Sequence, residues 1–216
     1  MKVDLKKKPH CIVLVSLIIL LLWILPGYSW SAGRGVVTAV LDGDTIELAD
    51  GQRVRYLGID CPEMGGGGRP AEFLAEEAYL YNRSLVLKRE VGLEDGLESR
   101  DRYGRLLAYV FRSDGLFVNK ELVKKGLAQV LYFGPWMKRF DELLKGQREA
   151  MQERRGIWAR ILEETSSHYR GQSGSRRFHR PDCAFGQKIA PKNLIAFSSK
   201  KEAYWQGFSP CRNCKP

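Results

Sequence analysis

The sequence predicts an α+β fold: a five-stranded barrel carrying three helices, followed by a small module at the C-terminal end. Three observations carry this. Period-two stretches broken by Asp-Gly pairs crowd residues 35–59, helical and strand patterns alternate from there to residue 158, and a Gly/Ser-rich stretch then precedes a tail holding three cysteines.

The first strands are read from "GVVTAVLD", "TIELAD" and "QRVRYLGI", with turns at Asp42-Gly43 and Asp50-Gly51. In "RPAEFLAEEAYLYNRS", Pro70 suits a helix start, and Phe73, Leu74, Ala78, Leu80 and Tyr81 fall at helical spacing. Two more strands, "LVLKREVG" and "RLLAYVFR", flank the charged connector "LEDGLESRDRYG". "NKELVKKGLA" predicts a short helix ending at Gly126, "QVLYF" a brief extended piece, and "WMKRFDELLKGQREAMQERRGIW" an amphipathic helix stopping at Gly156. Five strands and three helices in this order fit a small barrel of the oligonucleotide/oligosaccharide-binding kind, the OB-fold. Residues 164–177, polar and without periodicity, read as a linker between a barrel domain over 32–163 and a module over 178–216.

Residues 1–31 have the layout of an export signal: a basic lead, the fifteen-residue apolar run "CIVLVSLIILLLWIL", then Pro26, Gly27 and small residues. A cleaved signal peptide and an uncleaved signal anchor both fit, and Lys6, Lys7 and Lys8 keep the N-terminal flank inside. Either way the rest is expected to be exported, as a secreted, periplasmic or outward-facing anchored protein, with membrane contact only through an uncleaved leader. Of the formal charge of +10, residues 171–216 supply +7 through nine Lys/Arg against Asp182 and Glu202, while residues 32–170 are neutral. A basic appendage on a neutral body suits a polyanion partner.

Three separated segments carry unusual polar residues. These are Asp42 and Asp44 in "LDGDTIEL", Arg55, Asp60 and Glu63 in "VRYLGIDCPE", and Arg102, Tyr103 and Arg105 in "RDRYGRLLAYV". Each alone is ordinary turn chemistry. Together they supply what phosphodiester hydrolysis needs. Asp44, Asp60 and the Cys61 carbonyl offer hard oxygen ligands to a divalent cation, Glu63 can accept a proton from water, and Arg55 and Arg105 can meet developing phosphoryl charge. Alternation along one strand would set Arg55 and Asp60 on opposite faces, so a bulge near Gly58 is expected. "MGGGG" is expected to form a mobile lip.

These motifs, with "NKELVKKGLAQV" and the terminal "GIW", resemble in order and spacing the staphylococcal nuclease (thermonuclease) family over about residues 35–160. The resemblance implies a calcium-dependent nuclease acting on DNA and RNA and leaving 3′-phosphates; a monomer is expected. It assigns calcium to Asp44, Asp60 and the Cys61 carbonyl, catalysis to Arg55, Glu63 and Arg105, and substrate contacts to Arg102, Tyr103 and Tyr132. Gly134 stands where the family has a second pocket tyrosine. A non-catalytic nucleic-acid-binding or tethering barrel is the alternative.

In the tail, His179-x3-Cys183 and Cys211-x2-Cys214 have zinc-ligand spacing. A disulfide is the competing reading in an exported protein, but it leaves one cysteine over and does not use His179. "FHRPDC", "NLIAF" and "EAYWQGFSPCRNCKP" resemble the metal-binding domain of the Ada DNA-repair protein, with His179 in place of its methyl-accepting cysteine. The resemblance implies a zinc-stabilised basic module and argues against methyl-acceptor repair.

Overall fold

In the computed structural model, residues 33–162 and 168–216 are described; the expected signal segment lies outside them. Alternating apolar residues build a closed barrel in the strand order β1-β2-β3-β6-β5, from β1 (Gly33–Asp42), β2 (Thr45–Leu48), β3 (Arg53–Tyr56), β5 (Glu90–Arg100) and β6 (Leu106–Arg112). β1 pairs antiparallel with both β2 and β5, and β3 pairs parallel with β6 through Arg55 and Leu107, which closes the barrel. Val37, Ile46, Val54, Val91, Leu93 and Leu107 fill it. Among the described residues no helix is long and apolar enough to cross a membrane.

Three expectations shift. The strand after Arg55 does not bulge. It breaks at Leu57-Gly58, and β4 (Ile59–Asp60) leaves the barrel to pair with β7 (Gln129–Val130). Gly58 has φ 82°, a backbone conformation that favours glycine, and a Cβ there would meet the ends of the Leu143 and Met137 side chains at 2.8 Å. The first helix, α1 (Ala75–Val86), starts five residues after Pro70 and takes in Leu85 and Val86, expected to begin a strand. Its buried residues Ala75, Ala78, Asn82, Leu85 and Val86 follow helical spacing, so packing on the barrel overrides the strand-like look of Leu85 and Val86. The charged connector is itself strand as far as Arg100, paired to β6 with a register shift between Asp95 and Arg100. The glycine run forms a tight turn, with mutual backbone bonds between Gly66 and Arg69 of 3.0 and 3.1 Å.

Helices α2 (Val118–Lys124) and α3 (Phe140–Gln152) form in the expected segments but are shorter, stopping at Lys124 rather than Gly126 and at Gln152 rather than Gly156. Gly156 ends the turn after α3 because its backbone lies against Gly126: the Ile157 amide donates to the Gly126 carbonyl at 2.8 Å. A Cβ on Gly156 would sit 2.2 Å from the Gly126 carbonyl oxygen. The short α4 (Ile157–Ile161) follows.

The tail forms a four-stranded sheet ordered β10-β8-β9-β11, from β8 (Tyr169–Gln172), β9 (Arg177–His179), β10 (Leu194–Phe197) and β11 (Ser209–Pro210), with helices α5 (Ala184–Gln187) and α6 (Lys200–Trp205). The expected linker over 164–177 is therefore corrected: residues 169–172 form a strand of the module, whose alternating burial a Gly/Ser-rich composition conceals. Nor is the module a loose appendage. Ala150, Met151, Ile157 and Trp158 of the barrel's helices share one apolar cluster with Tyr169, Phe178, Phe197, Tyr204 and Phe208.

Candidate active site

The β1–β2 hairpin, the break after β3 and the β5–β6 hairpin bring the three polar segments to one end of the barrel. At the first, the Asp44 amide donates to Asp42 Oδ1 at 2.9 Å. Gly43 is required here for space: a Cβ would lie 2.7 Å from Cys61 Cβ. That close approach lets the Cys61 amide donate to Asp44 Oδ2 at 2.9 Å. Arg55, almost fully buried, ties the segments together. Its Nη1 donates to the carbonyls of Tyr56 and Ile59 at 2.8 and 2.9 Å, and its Nη2 reaches Asp44 Oδ2 at 2.9 Å and Asp60 Oδ1 at 2.7 Å.

One guanidinium faces two carboxylates, with Asp42 close behind. Burial, with Asp42 and Asp60 adding to it, pushes the Asp44 carboxyl up to about 8 against the pull of Arg55. Partial burial and then the Asp60 and Asp42 carboxylates likewise raise Glu63, which follows Pro62 on the exposed rim. The excess of carboxylate oxygens over positive charge around Arg55 fits a divalent cation such as calcium, which would offset this repulsion. The Cys61 thiol is buried, and burial first, then the Asp44 carboxylate, raises its pKa well above the ordinary value.

Arg105 is aimed by a partner the sequence reading did not single out. Asp101 Oδ2 accepts from Arg105 Nε at 2.8 Å and Nη2 at 2.7 Å, while its Oδ1 accepts from the Tyr103 and Arg105 amides. Burial alone would raise the Asp101 carboxyl, but these bonds hold it below its ordinary value. Arg105 Nη1 then reaches Thr45 Oγ1 at 3.4 Å, and Thr45 donates to Asp44 Oδ1 at 3.2 Å. Thr45 was also missed; the signal for Asp101 was its i,i+4 spacing to an arginine across a Gly turn. The exposed Tyr103 ring carries the guanidinium groups of Arg102 at 4.8 Å and Arg105 at 5.4 Å. Beside it opens a hollow of about 420 Å³ lined by Arg53, Arg100, Tyr103 and Arg105. Tyr132 does not join this group through any of these contacts. It is half-buried, edge-on to Phe140 at 5.1 Å, with the Arg176 guanidinium 5.0 Å over its ring.

The second cluster lies in the module. One ligand atom from each of His179, Cys183, Cys211 and Cys214 falls within 4.8 Å of the others, and all four residues are buried. Cys183 Sγ lies 3.4 Å from His179 Nδ1, and the three thiols are free. Zinc–sulfur bonds of about 2.3 Å at tetrahedral angles set sulfurs roughly 3.8 Å apart, so the four groups fit a zinc ion. Burial and then the adjacent Arg177 lower the imidazole pKa, which favours the neutral, ligating form.

The fold and this end of the barrel define an OB-fold protein with an acidic pocket flanked by arginines. The chain belongs to the staphylococcal nuclease homologue family, which it matches over residues 53–160. It is 37% identical to a thermonuclease of Staphylococcus intermedius over 128 residues, 58% of this chain and 76% of that one. It is 40% identical over 136 residues to the SPbeta prophage-derived endonuclease YokF of Bacillus subtilis (strain 168), 61% of this chain and 46% of the relative. Endonuclease YncB of the same organism is 37% identical over 136 residues, 61% of this chain and 64% of the relative. The chain thus spans about three quarters of the first relative and less than half of the second.

Proposed function

We propose that the protein is a calcium-dependent nuclease that hydrolyses phosphodiester bonds of DNA and RNA and leaves 3′-phosphates. The observation that carries this is the convergence of Asp44 and Asp60 on one guanidinium nitrogen of Arg55, beside a raised Glu63 and an Arg105 held by Asp101. Asp44, Asp60 and the Cys61 carbonyl would hold calcium, which when bound supplies positive charge against the phosphoryl oxygens. Glu63 accepts a proton from the attacking water as the water oxygen bonds to phosphorus and the P–O5′ bond breaks; the departing 5′ oxygen takes a proton from solvent, giving a 3′-phosphate and a 5′-hydroxyl. Arg105 donates to the non-bridging oxygens, whose charge grows in the transition state, and the positive charge of Arg55, held in place by Asp44 and Asp60, stabilises it further. Arg102 and Tyr103 bind a terminal phosphate, and Tyr132 borders a base.

His179, Cys183, Cys211 and Cys214 would hold zinc, in a module similar to the Ada metal-binding domain that strengthens binding to nucleic acid through its positive charge. The leader exports a monomeric enzyme. Purified protein incubated with DNA and with RNA in calcium should degrade both to fragments whose 3′ ends are phosphatase-sensitive. A calcium-selective chelator should stop it. Intact substrate in calcium, with the protein folded, would favour a non-catalytic binding barrel instead.

A further inference from the structure

Between the barrel and the module runs a cleft of about 700 Å³. Its barrel wall includes Asp60, Glu63 and Phe73; its module wall includes Arg177, Arg212 and Lys215. The cleft therefore opens from the acidic pocket itself. Six Lys/Arg line it against three carboxylates.

Two features distinguish this wall from an ordinary domain contact. Arg212 Nη2 stands 3.7 Å from Asp60 Oδ1, and Lys215 Nζ 3.6 Å from Glu72 Oε1, with the basic side chains 68% and 76% exposed. Charge-assisted bonds that fasten two surfaces run to about 2.7–2.9 Å, so these cations are held near the pocket without being locked to a carboxylate. Arg177 lines the same wall, with its Nη1 anchored on the Pro210 carbonyl at 3.2 Å. Opposite them Phe73, 46% exposed, presents a ring with the Arg160 guanidinium 5.4 Å over it. An exposed aromatic face paired with a guanidinium, beside a track of cations, is what unpaired bases and their phosphates bind.

We propose that this cleft is a binding groove for a single nucleic-acid strand, in which Arg212, Lys215 and Arg177 contact the phosphates that follow the one at Asp60, and Phe73 stacks a base. The groove rests on the nuclease reading for the strand's place at Asp60. It gives the module a specific task, holding the strand that runs out of the active site, in place of general electrostatic attraction.

The test uses the full chain and a phosphorothioate-linked 12-nucleotide strand, which resists hydrolysis, with binding read by fluorescence anisotropy across salt concentrations. Removing one cation from a single strand's phosphates should lower the log–log salt slope by roughly 0.7, so Arg212→Ala with Lys215→Ala should lower it by about 1.4. Phe73→Ala should weaken binding roughly 5- to 100-fold by abolishing the stack. The double variant should lose less affinity for a dinucleotide than for the 12-nucleotide strand, and its zinc content should match the wild type. A wild-type slope in the double variant overturns the groove, as does a lowered melting temperature with the slope unchanged, which would make these residues fasteners only. Hydrolysis of the phosphodiester version of the strand by the wild-type protein is scored separately. Its absence would sink the nuclease reading while the anisotropy still decides the groove.

Discussion

Tyr204→Ala tests whether barrel and module are one cooperative body. Tyr204 is 3% exposed, and its ring meets Trp158 of the barrel's α4 edge-on at 5.0 Å and Phe178 of the module at 5.1 Å. Truncating a buried aromatic of this size to alanine costs about 3–5 kcal/mol, the removal of both ring pairs included. The bond from Gln147 Nε2 to the Tyr204 carbonyl, 2.7 Å, is to backbone and survives the substitution. With a urea dependence of about 2–3 kcal/mol per molar, the unfolding midpoint should fall by roughly 1–2.5 M. The decisive feature is where it falls. Hydrogen exchange in barrel strands β1 and β6 and in module strands β8 and β9 should shift together, in one transition coincident by circular dichroism and tryptophan fluorescence. If β1 and β6 keep their wild-type midpoint while only β8 and β9 weaken, the shared cluster does not couple the two parts and the reasoning fails.

Four further outcomes are expected. Glu63→Gln should lower turnover about 10²- to 10⁴-fold and Arg105→Ala about 10²- to 10³-fold with unchanged circular dichroism, and near wild-type rates would remove that residue from the chemistry. Calcium should support hydrolysis far better than magnesium, because two carboxylates and a carbonyl suit loose coordination better than a tight octahedron; equal rates would refute this. The purified chain should carry one zinc by elemental analysis, and Cys214→Ser should lose it; a metal-free module with unchanged unfolding would refute the site. Asp101, with its carboxyl held below the ordinary 3.8, stabilises the fold fully above that value and loses this as pH falls through its lower folded value. Asp101→Asn should therefore flatten the stability profile below about pH 4, which acid titration of unfolding would reveal.

Much of the barrel and its pocket was legible because the groups that matter sit at turns fixed by short-range rules. Asp44 follows an Asp-Gly pair, and Asp60 and Glu63 bracket a proline, so chain reversal predicts that each lies at a strand end. What brings them together was not legible, because it depends on contacts across the chain. The glycine at 43 matters because Cys61 lies against it, and the one at 58 because Leu143 and Met137 do. Asp101 and Thr45 become parts of the site only through Arg105, which the fold sets between them.

The module's docking was hidden for a different physical reason. Trp158 and Tyr204 would be apolar members of their own elements in either arrangement, since an amphipathic pattern records that a face is covered and never what covers it. The consequence reaches the site. Because Trp158 and Tyr204 fix the module against α4, Arg212 is delivered to within 3.7 Å of Asp60 by packing some distance away. Asp60 is thereby shared between a buried arginine of the barrel and an exposed one of the module. The two are not equivalent. Arg55 is committed to two carbonyls and two carboxylates, so removing it leaves a buried acid unpaired and endangers the fold. Arg212 is free of that duty, and can be exchanged to alter how substrate is held without altering what holds the barrel.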